Sequence, residues 1–206
     1  MANQSGSIYG LTILSPIKSR QPQEAISPSL AIRRCLRCMA QHEVSPFAKV
    51  SSTHMARLVV MDDVVYEGSP SCEEHLQAKY LVFESNFDGD LDTYLRRLAT
   101  EAAAEVECVW QHCDGFPGVR DVNRFVEYMK KCQIETTFFF ADVNDKTVQE
   151  ALRALQTQSA VAAFIEKNQG KPPEELMREF VQFVRLLGEA LAPKPGTGPK
   201  REFSDE

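Results

Sequence analysis

The segment from residue 79 to residue 118 constrains the fold of this chain most strongly, because a strand, a tight turn and an amphipathic helix follow one another in it. Residues 80–87 are dense in aromatic and branched side chains, and Asp88-Gly89 is a strong breaker of regular structure. From Leu91 onward the apolar residues recur at helical spacing, and Asp90 stands where a helix cap is needed. The sequence therefore predicts a strand and a helix joined by a tight turn.

Three elements are predicted before this segment. Residues 8–17 form a first strand that stops at Pro16, because proline cannot donate to a strand ladder. Ser27-Pro28 is typical of a helix start, with a capping serine and a proline at the first helical position, and the apolar residues after it recur at helical spacing. Residues 50–65 are most simply a second strand, which the aspartates at 62–63 end or interrupt.

Beyond residue 118 the pattern predicts a short helix, a strand and two further helices. Residues 134–141 contain three consecutive phenylalanines, which suit a strand covered on both faces. Thr147 and Glu150 stand at capping-box spacing at the start of the next helix. A break at residues 170–173 separates that helix from the last amphipathic one.

The domain organisation follows from these elements. Residues 1–7 are predicted to be a flexible polar tail, residues 8–169 an α+β domain and residues 170–192 a C-terminal helical extension. Residues 193–206 are rich in proline, glycine and charge, and are predicted to be a disordered tail.

The order of strands and helices is that of a ferredoxin-like split βαβ unit with extra helices, in which a four-stranded antiparallel sheet carries its helices on one face. The other face of such a sheet needs a cover. Sheets of this kind commonly pack against a second copy and form a dimeric α/β barrel. Since the chain contains no second copy of the unit, we expect a homodimer or a cover supplied by the C-terminal helices.

Composition excludes several function classes. The formal charge of −6 and the pI near 5.4 argue against a nucleic-acid surface, whose affinity comes from basic groups that neutralise phosphates. No apolar segment approaches the roughly 18 residues that cross a bilayer, and the first residues lack the features of a signal peptide. We therefore expect a cytoplasmic protein whose six cysteines are mostly reduced.

Two strings, residues 53–61 (THMARLVVM) and residues 80–90 (YLVFESNFDGD), resemble a little-characterised group of bacterial proteins related to the dimeric α/β-barrel and dye-decolourising peroxidase superfamily. The similarity runs from about residue 10 to residue 155. The resemblance implies a ferredoxin-like, dimeric α/β-barrel fold. The superfamily includes haem peroxidases and chlorite-dismutase-like enzymes, as well as cofactor-free monooxygenases, cyclases and subunits with no known chemistry.

In the peroxidases of that superfamily a proximal histidine carries haem, and an aspartate and an arginine lie on its distal side. The distal Gly-x-x-Asp-Gly pattern is absent here, because Asp88-Gly89 is preceded by Ser85-Asn-Phe. The resemblance therefore assigns no catalytic residue, although it keeps haem among the possible cofactors.

Four polar residues are candidates for catalysis on the open face of the sheet. His54 and Arg57 lie three apart on a strand, so alternation points them to opposite faces unless a bulge intervenes. One of them could bind an anion or a carbonyl group, or they could be an edge histidine and a salt-bridged arginine. Glu84 and Asn86 share one strand face, which suits a small-molecule pocket and equally a solvated or dimer-forming face.

His112-Cys113-Asp114-Gly115 is the most reactive-looking group in the chain. His112 is the preferred histidine for a haem or metal ligand, and a thiol beside an imidazole could be a nucleophile. The alternative is a structured loop, which the glycines and proline that follow favour. Cys35-x-x-Cys38 with His42 places three zinc-type ligands on one helical face, but no complementary pair follows and a core role for Cys35 is simpler.

Two functions from different classes remain open. The first is a small-molecule-binding or haem-dependent oxidoreductase-like protein of the peroxidase type, with its site on the open sheet face. The second is a non-catalytic oligomerising or accessory protein without a cofactor, in which that face is the interface between subunits. They differ in whether an enclosed polar pocket remains after association.

Overall fold

The computed structural model describes residues 2–65 and 75–189. Within them, one antiparallel sheet is built from five strands. The strands are β1 (Gln4–Ser5), β2 (Ile8–Pro16), β3 (Thr53–Met61), β4 (Tyr80–Asp88) and β5 (Gln133–Ile134). Their order is β1-β2-β4-β3, and β5 pairs with the same edge of β2 as β1 does. The prediction of an α+β fold with an antiparallel sheet is confirmed.

Six α-helices and one short 3-10 helix accompany the sheet in the described parts of the chain. They are α1 (Pro28–Ala40), the 3-10 helix (Pro46–Lys49), α2 (Leu91–Glu101), α3 (Ala103–Trp110), α4 (Val122–Lys131), α5 (Val148–Asn168) and α6 (Pro173–Glu189). Three predicted helix starts are confirmed, because Ser27 accepts from the amide of the third residue after it, Asp90 does the same, and Thr147 and Glu150 form a capping box. No helix in these parts is both long and apolar enough to span a bilayer.

The hydrophobic core lies on one face of the sheet. Phe83 and Phe87 of β4 are fully buried there, Phe87 stacks on Tyr94 with ring centroids 3.7 Å apart, and Phe83 meets Trp110 edge to face. The Trp110 indole N–H donates to the buried Ser15 hydroxyl over 3.2 Å. Helices α1 to α4 supply the core from this side, so the opposite face of the sheet is left open.

A disulfide joins Cys35 of α1 to Cys108 of α3 across this helical layer. The sequence offered no signal for that pairing, since the two residues are 73 positions apart.

Helices α5 and α6 form a hairpin that packs mainly on itself. Phe164 stacks on Phe183 and meets Phe180 edge to face. Along α5, the buried residues are Val148 and Asn168, one at each end. Many apolar side chains of the hairpin are exposed: Leu155, Val161, Ile165, Leu176, Met177, Phe180, Val181, Val184 and Leu186.

Two predictions were wrong for one shared reason. Residues 4 and 5, predicted to be part of a flexible tail, form β1, and Asn3 is buried and hydrogen-bonded to the Gly10 carbonyl. The strand predicted over residues 134–141 stops at Ile134, and Phe138 and Phe140 are exposed. Continuing that strand would place it beside residues 8–10 of β2, the edge that β1 already occupies.

The segment after β5 is instead held by side chains of the N-terminal residues. Asn3 Oδ1 accepts from the Thr136 amide over 3.3 Å, and Ser5 Oγ accepts from the Ala141 amide over 3.3 Å. The extension predicted over residues 170–192 corresponds to α6, and the disordered tail predicted for residues 193–206 lies outside the described residues.

Candidate functional site

A cleft of about 430 Å³ lies on the open face of the sheet. Its floor comes from the middle of three adjacent strands, β2, β4 and β3, and its rim from the segment that follows β5. The lining residues are Gly10, Leu11, Thr12, Met55, Arg57, Glu84, Ser85, Asn86, Thr136, Phe138 and Phe139. Three of the four residues predicted for a site on this face, Arg57, Glu84 and Asn86, are therefore brought together.

The cleft depends on a close approach of Phe139 to β2. A Cβ atom on Gly10 would lie 2.7 Å from a ring carbon of Phe139, which is closer than two carbon atoms can pack. Glycine at position 10 thus lets the segment after β5 lie against the sheet. No local pattern in the sequence marks this glycine for such a role.

Arg57 and Glu84 are cross-strand neighbours in the register of β3 and β4. The Arg57 Nε donates to Glu84 Oε2 over 2.7 Å, while the arginine side chain stays 66% exposed. An exposed pair of this kind stabilises the fold by only about 0–1 kcal/mol. Its effect on the cleft is to cancel the two charges and leave polar N–H and oxygen groups at one side.

Asn86 presents its side-chain amide to the same cleft, two residues further along β4. Neither this amide nor the Thr12 hydroxyl hydrogen-bonds to another residue in the described parts of the chain. An amide has both donor and acceptor capacity, so it can recognise a carbonyl, a hydroxyl or another amide. Together with Phe138 and Phe139, this makes a site with a polar floor and an aromatic rim.

His54 contributes to the structure rather than to the cleft lining. A β-bulge between Thr53 and Met55 shifts the register of β3. A bulge is what the sequence required for His54 and Arg57 to share one pocket, but His54 does not line the cleft. The His54 Nε2 lies 2.7 Å from Asp88 Oδ1, and Asp88 Oδ2 accepts from the Val148 amide over 2.9 Å. His54 therefore helps to attach the start of α5 to the sheet.

His112 lies away from the cleft, after α3, where its carbonyl accepts from the Lys18 amide just beyond the end of β2. The neighbouring Cys113 pairs with Ile17, which is five residues beyond Thr12, or roughly 16 Å along an extended chain. Burial lowers the pKa of the His112 imidazole, and the charge of Lys18 adds to this effect.

Burial also raises the pKa of the Cys113 thiol to about 12. A thiol that stays protonated at neutral pH is a poor nucleophile, which argues against Cys113 as a nucleophile activated by His112.

The cleft does not fit a haem held in the way the sequence suggested. Haem iron takes a histidine, cysteine, methionine or tyrosine, and of these the cleft offers only Met55. Elsewhere in the described ranges no group of three or more His, Cys, Asp or Glu side chains could hold a metal ion. The zinc set considered for α1 loses the sulfur of Cys35, which is bonded to Cys108.

Sequence reasoning missed the residues that give the cleft its shape. Strand alternation could have nominated Thr12 and Met55, since their positions follow from the pairing of β2 and β3 with β4. No local pattern could have placed Phe138 and Phe139 over Gly10, because the residues at 134–141 read as a covered strand.

Comparisons of the chain with models of protein families, with curated proteins and with solved structures gave no match. The fold therefore defines the class of protein as α+β with an antiparallel sheet, and the cleft is the feature of this fold that bears on function.

Proposed function

We propose that this chain is a small-molecule-binding protein on a ferredoxin-like scaffold of the dimeric α/β-barrel type, with its ligand in the cleft of the open sheet face. The scaffold is supported by the order β5-β2-β4-β3, which reads 4-1-3-2 when β1 is set aside, and by the position of α1 to α4 on one face.

The Asn86 amide, which lines the cleft and has no hydrogen-bond partner among the described residues, carries the proposal. The cleft has a volume within the usual range of about 300–1,000 Å³ for ligand sites. Because the Arg57–Glu84 pair cancels its own charge, the best ligand is uncharged, with a carbonyl or amide group for Asn86 and a ring that packs on the phenylalanines. The cleft lining offers no histidine, cysteine or tyrosine as an axial haem ligand, so the proposal includes no haem-dependent peroxidase reaction. A cytoplasmic location stays a prediction from the sequence.

The binding test uses benzamide and acetophenone as probes, observed by saturation-transfer NMR. We expect binding that weakens about fivefold in Asn86→Ala, the equivalent of one hydrogen bond of about 1 kcal/mol. Asn123→Ala is the matched control, because Asn123 is exposed on α4 and remote from the cleft. If neither probe binds, or if both variants bind as the unmodified chain does, the proposed ligand site is wrong.

A second candidate function is homo-oligomerisation through the same face. Met55, Val59, Phe138 and Phe140 are all exposed apolar side chains on or beside it, more than a scattered surface would show. Analytical ultracentrifugation of the chain and of a Met55→Ser/Phe138→Ser variant tests this function. A dimer that dissociates in the variant favours it, and a monomer in both cases contradicts it.

A further inference from the structure

Three cysteines lie together at the C-terminal end of α1. Cys35 is bonded to Cys108 of α3, with Cα atoms 6.4 Å apart, and both residues are half-buried. Cys38 lies one helical turn beyond Cys35 and is an exposed free thiol. Thiol–disulfide exchange requires a thiolate that can reach a disulfide sulfur, and Cys38 is a free thiol one turn from such a sulfur.

Cys38 is close enough to reach the disulfide with a small local change. Residues three apart on a helix have Cβ atoms about 5–6 Å apart, slightly beyond the 3.5–4.5 Å found in disulfides. Helix α1 ends at Ala40, and the Gln41 amide donates to the Cys38 carbonyl over 3.1 Å in a tighter 3-10 arrangement. Cys38 thus lies in the last turn of α1, and helix ends fray, so local opening of this turn lets the two sulfurs come together.

We propose that Cys35, Cys38 and Cys108 form a thiol–disulfide exchange site that accepts two electrons from an external dithiol. The Cys38 thiolate attacks Sγ of Cys35, so the Cys35–Cys38 bond forms while the Cys35–Cys108 bond breaks. Cys108 leaves as a thiolate and takes a proton from water. The disulfide thus moves from the helix interface to an exposed position on α1.

The external dithiol then attacks Sγ of Cys38, and Cys35 leaves as a thiolate. The second thiol of the dithiol then attacks the dithiol's first sulfur, which is bonded to Cys38, and Cys38 leaves as a thiolate. The dithiol ends as a disulfide, and its two hydrogens are accounted for by two new protein thiols. The proposal does not depend on the cleft, and it suits a reducing compartment, where protein disulfides are usually transient and redox-active.

The test follows reduction of the Cys35–Cys108 bond by dithiothreitol, quenched with iodoacetamide and read by peptide mass spectrometry. Trypsin cleaves after Arg37, so Cys35 and Cys38 fall on separate peptides and their linkage can be read directly. The comparison is between the unmodified chain, Cys38→Ser and Cys132→Ser, where Cys132 is a half-buried free cysteine outside the cluster.

We expect the reduction rate to fall by about tenfold or more in Cys38→Ser. In that variant dithiothreitol must attack the half-buried disulfide directly, because the exposed Cys38 thiol is no longer there to open it first. Cys132→Ser should react as the unmodified chain does. In Cys108→Ser treated with oxidised glutathione, the peptides carrying Cys35 and Cys38 should be linked to each other.

Equal rates in Cys38→Ser and the unmodified chain would overturn the proposal. Failure to form the Cys35–Cys108 bond in the unmodified chain under oxidised glutathione would also overturn it. If Cys108→Ser does not fold, the rate comparison alone decides, because it leaves the disulfide intact.

Discussion

Replacement of Asp88 by alanine tests how the sheet holds α5. The carboxylate is 14% exposed and stands at the end of β4, where Oδ1 lies 2.7 Å from His54 Nε2 and Oδ2 accepts from the Val148 amide over 2.9 Å. The substitution removes both contacts at once. It leaves an amide without its partner in the first turn of α5, where a carboxylate also complements the helix dipole.

The magnitude follows from these two contacts. A hydrogen bond to a charged group contributes about 1.5–3 kcal/mol. Taking the lower value for each, because water can enter the space that the side chain leaves, we expect Asp88→Ala to lower the free energy of unfolding by about 3 kcal/mol. That loss is a large fraction of the roughly 5–15 kcal/mol that stabilises a typical domain.

The assay is urea unfolding followed by the fluorescence of Trp110, the single tryptophan, and by far-UV circular dichroism. Asp145→Ala is the control, since that side chain is 74% exposed just before the same helix and should change stability by less than about 0.5 kcal/mol. Equal unfolding midpoints for the two variants would refute the assignment of Asp88 as the attachment point of α5.

Three further results are expected. Reducing the Cys35–Cys108 bond should lower the free energy of unfolding by about 4 kcal/mol, the chain-entropy value for a separation of 73 residues, and unfolding curves that coincide with and without reductant would contradict it. Burial raises the pKa of Cys113 to about 12, so its contribution to the free energy of unfolding is complete below the unfolded thiol's pKa of about 8.5 and is lost as pH rises towards 12. Cys113→Ala should therefore reduce the fall in the free energy of unfolding between these pH values, measured by urea unfolding. A fall as large as in the unmodified chain would contradict this expectation. Tyr94→Phe should cost about 1 kcal/mol in urea unfolding, since the buried Tyr94 hydroxyl lies 2.7 Å from Ser85 Oγ, and a cost near zero would show that this bond contributes nothing.

Local signals in the sequence predicted much of the fold. The caps at Ser27, Asp90 and Thr147 and the strand that ends at Asp88 depend on residues only a few positions apart, so they can be recognised without knowing the tertiary structure. Alternation also placed Glu84 and Asn86 on one strand face, which is the face of the cleft.

The tertiary structure decided which candidate residues meet. At the bulge before Met55, His54 contacts Asp88 and not the cleft, and His112 is remote from the cleft because its segment pairs with the chain beyond the end of β2. These outcomes depend on the register between strands that are about 30 residues apart in the sequence. Register is a property of the pair, so a pattern within either strand cannot fix it.

The sequence by itself determined the α+β class, the helix starts and the polar face of β4, because short-range periodicity and capping control them. Competition for the free edge of β2 was decided only in three dimensions, where residues 4 and 5 pair with it and leave residues 136–139 to form the rim of the cleft. The same holds for the Cys35–Cys108 bond. In each case the partners are distant in sequence, and the packing of the whole domain selects one pairing among several that are locally equivalent.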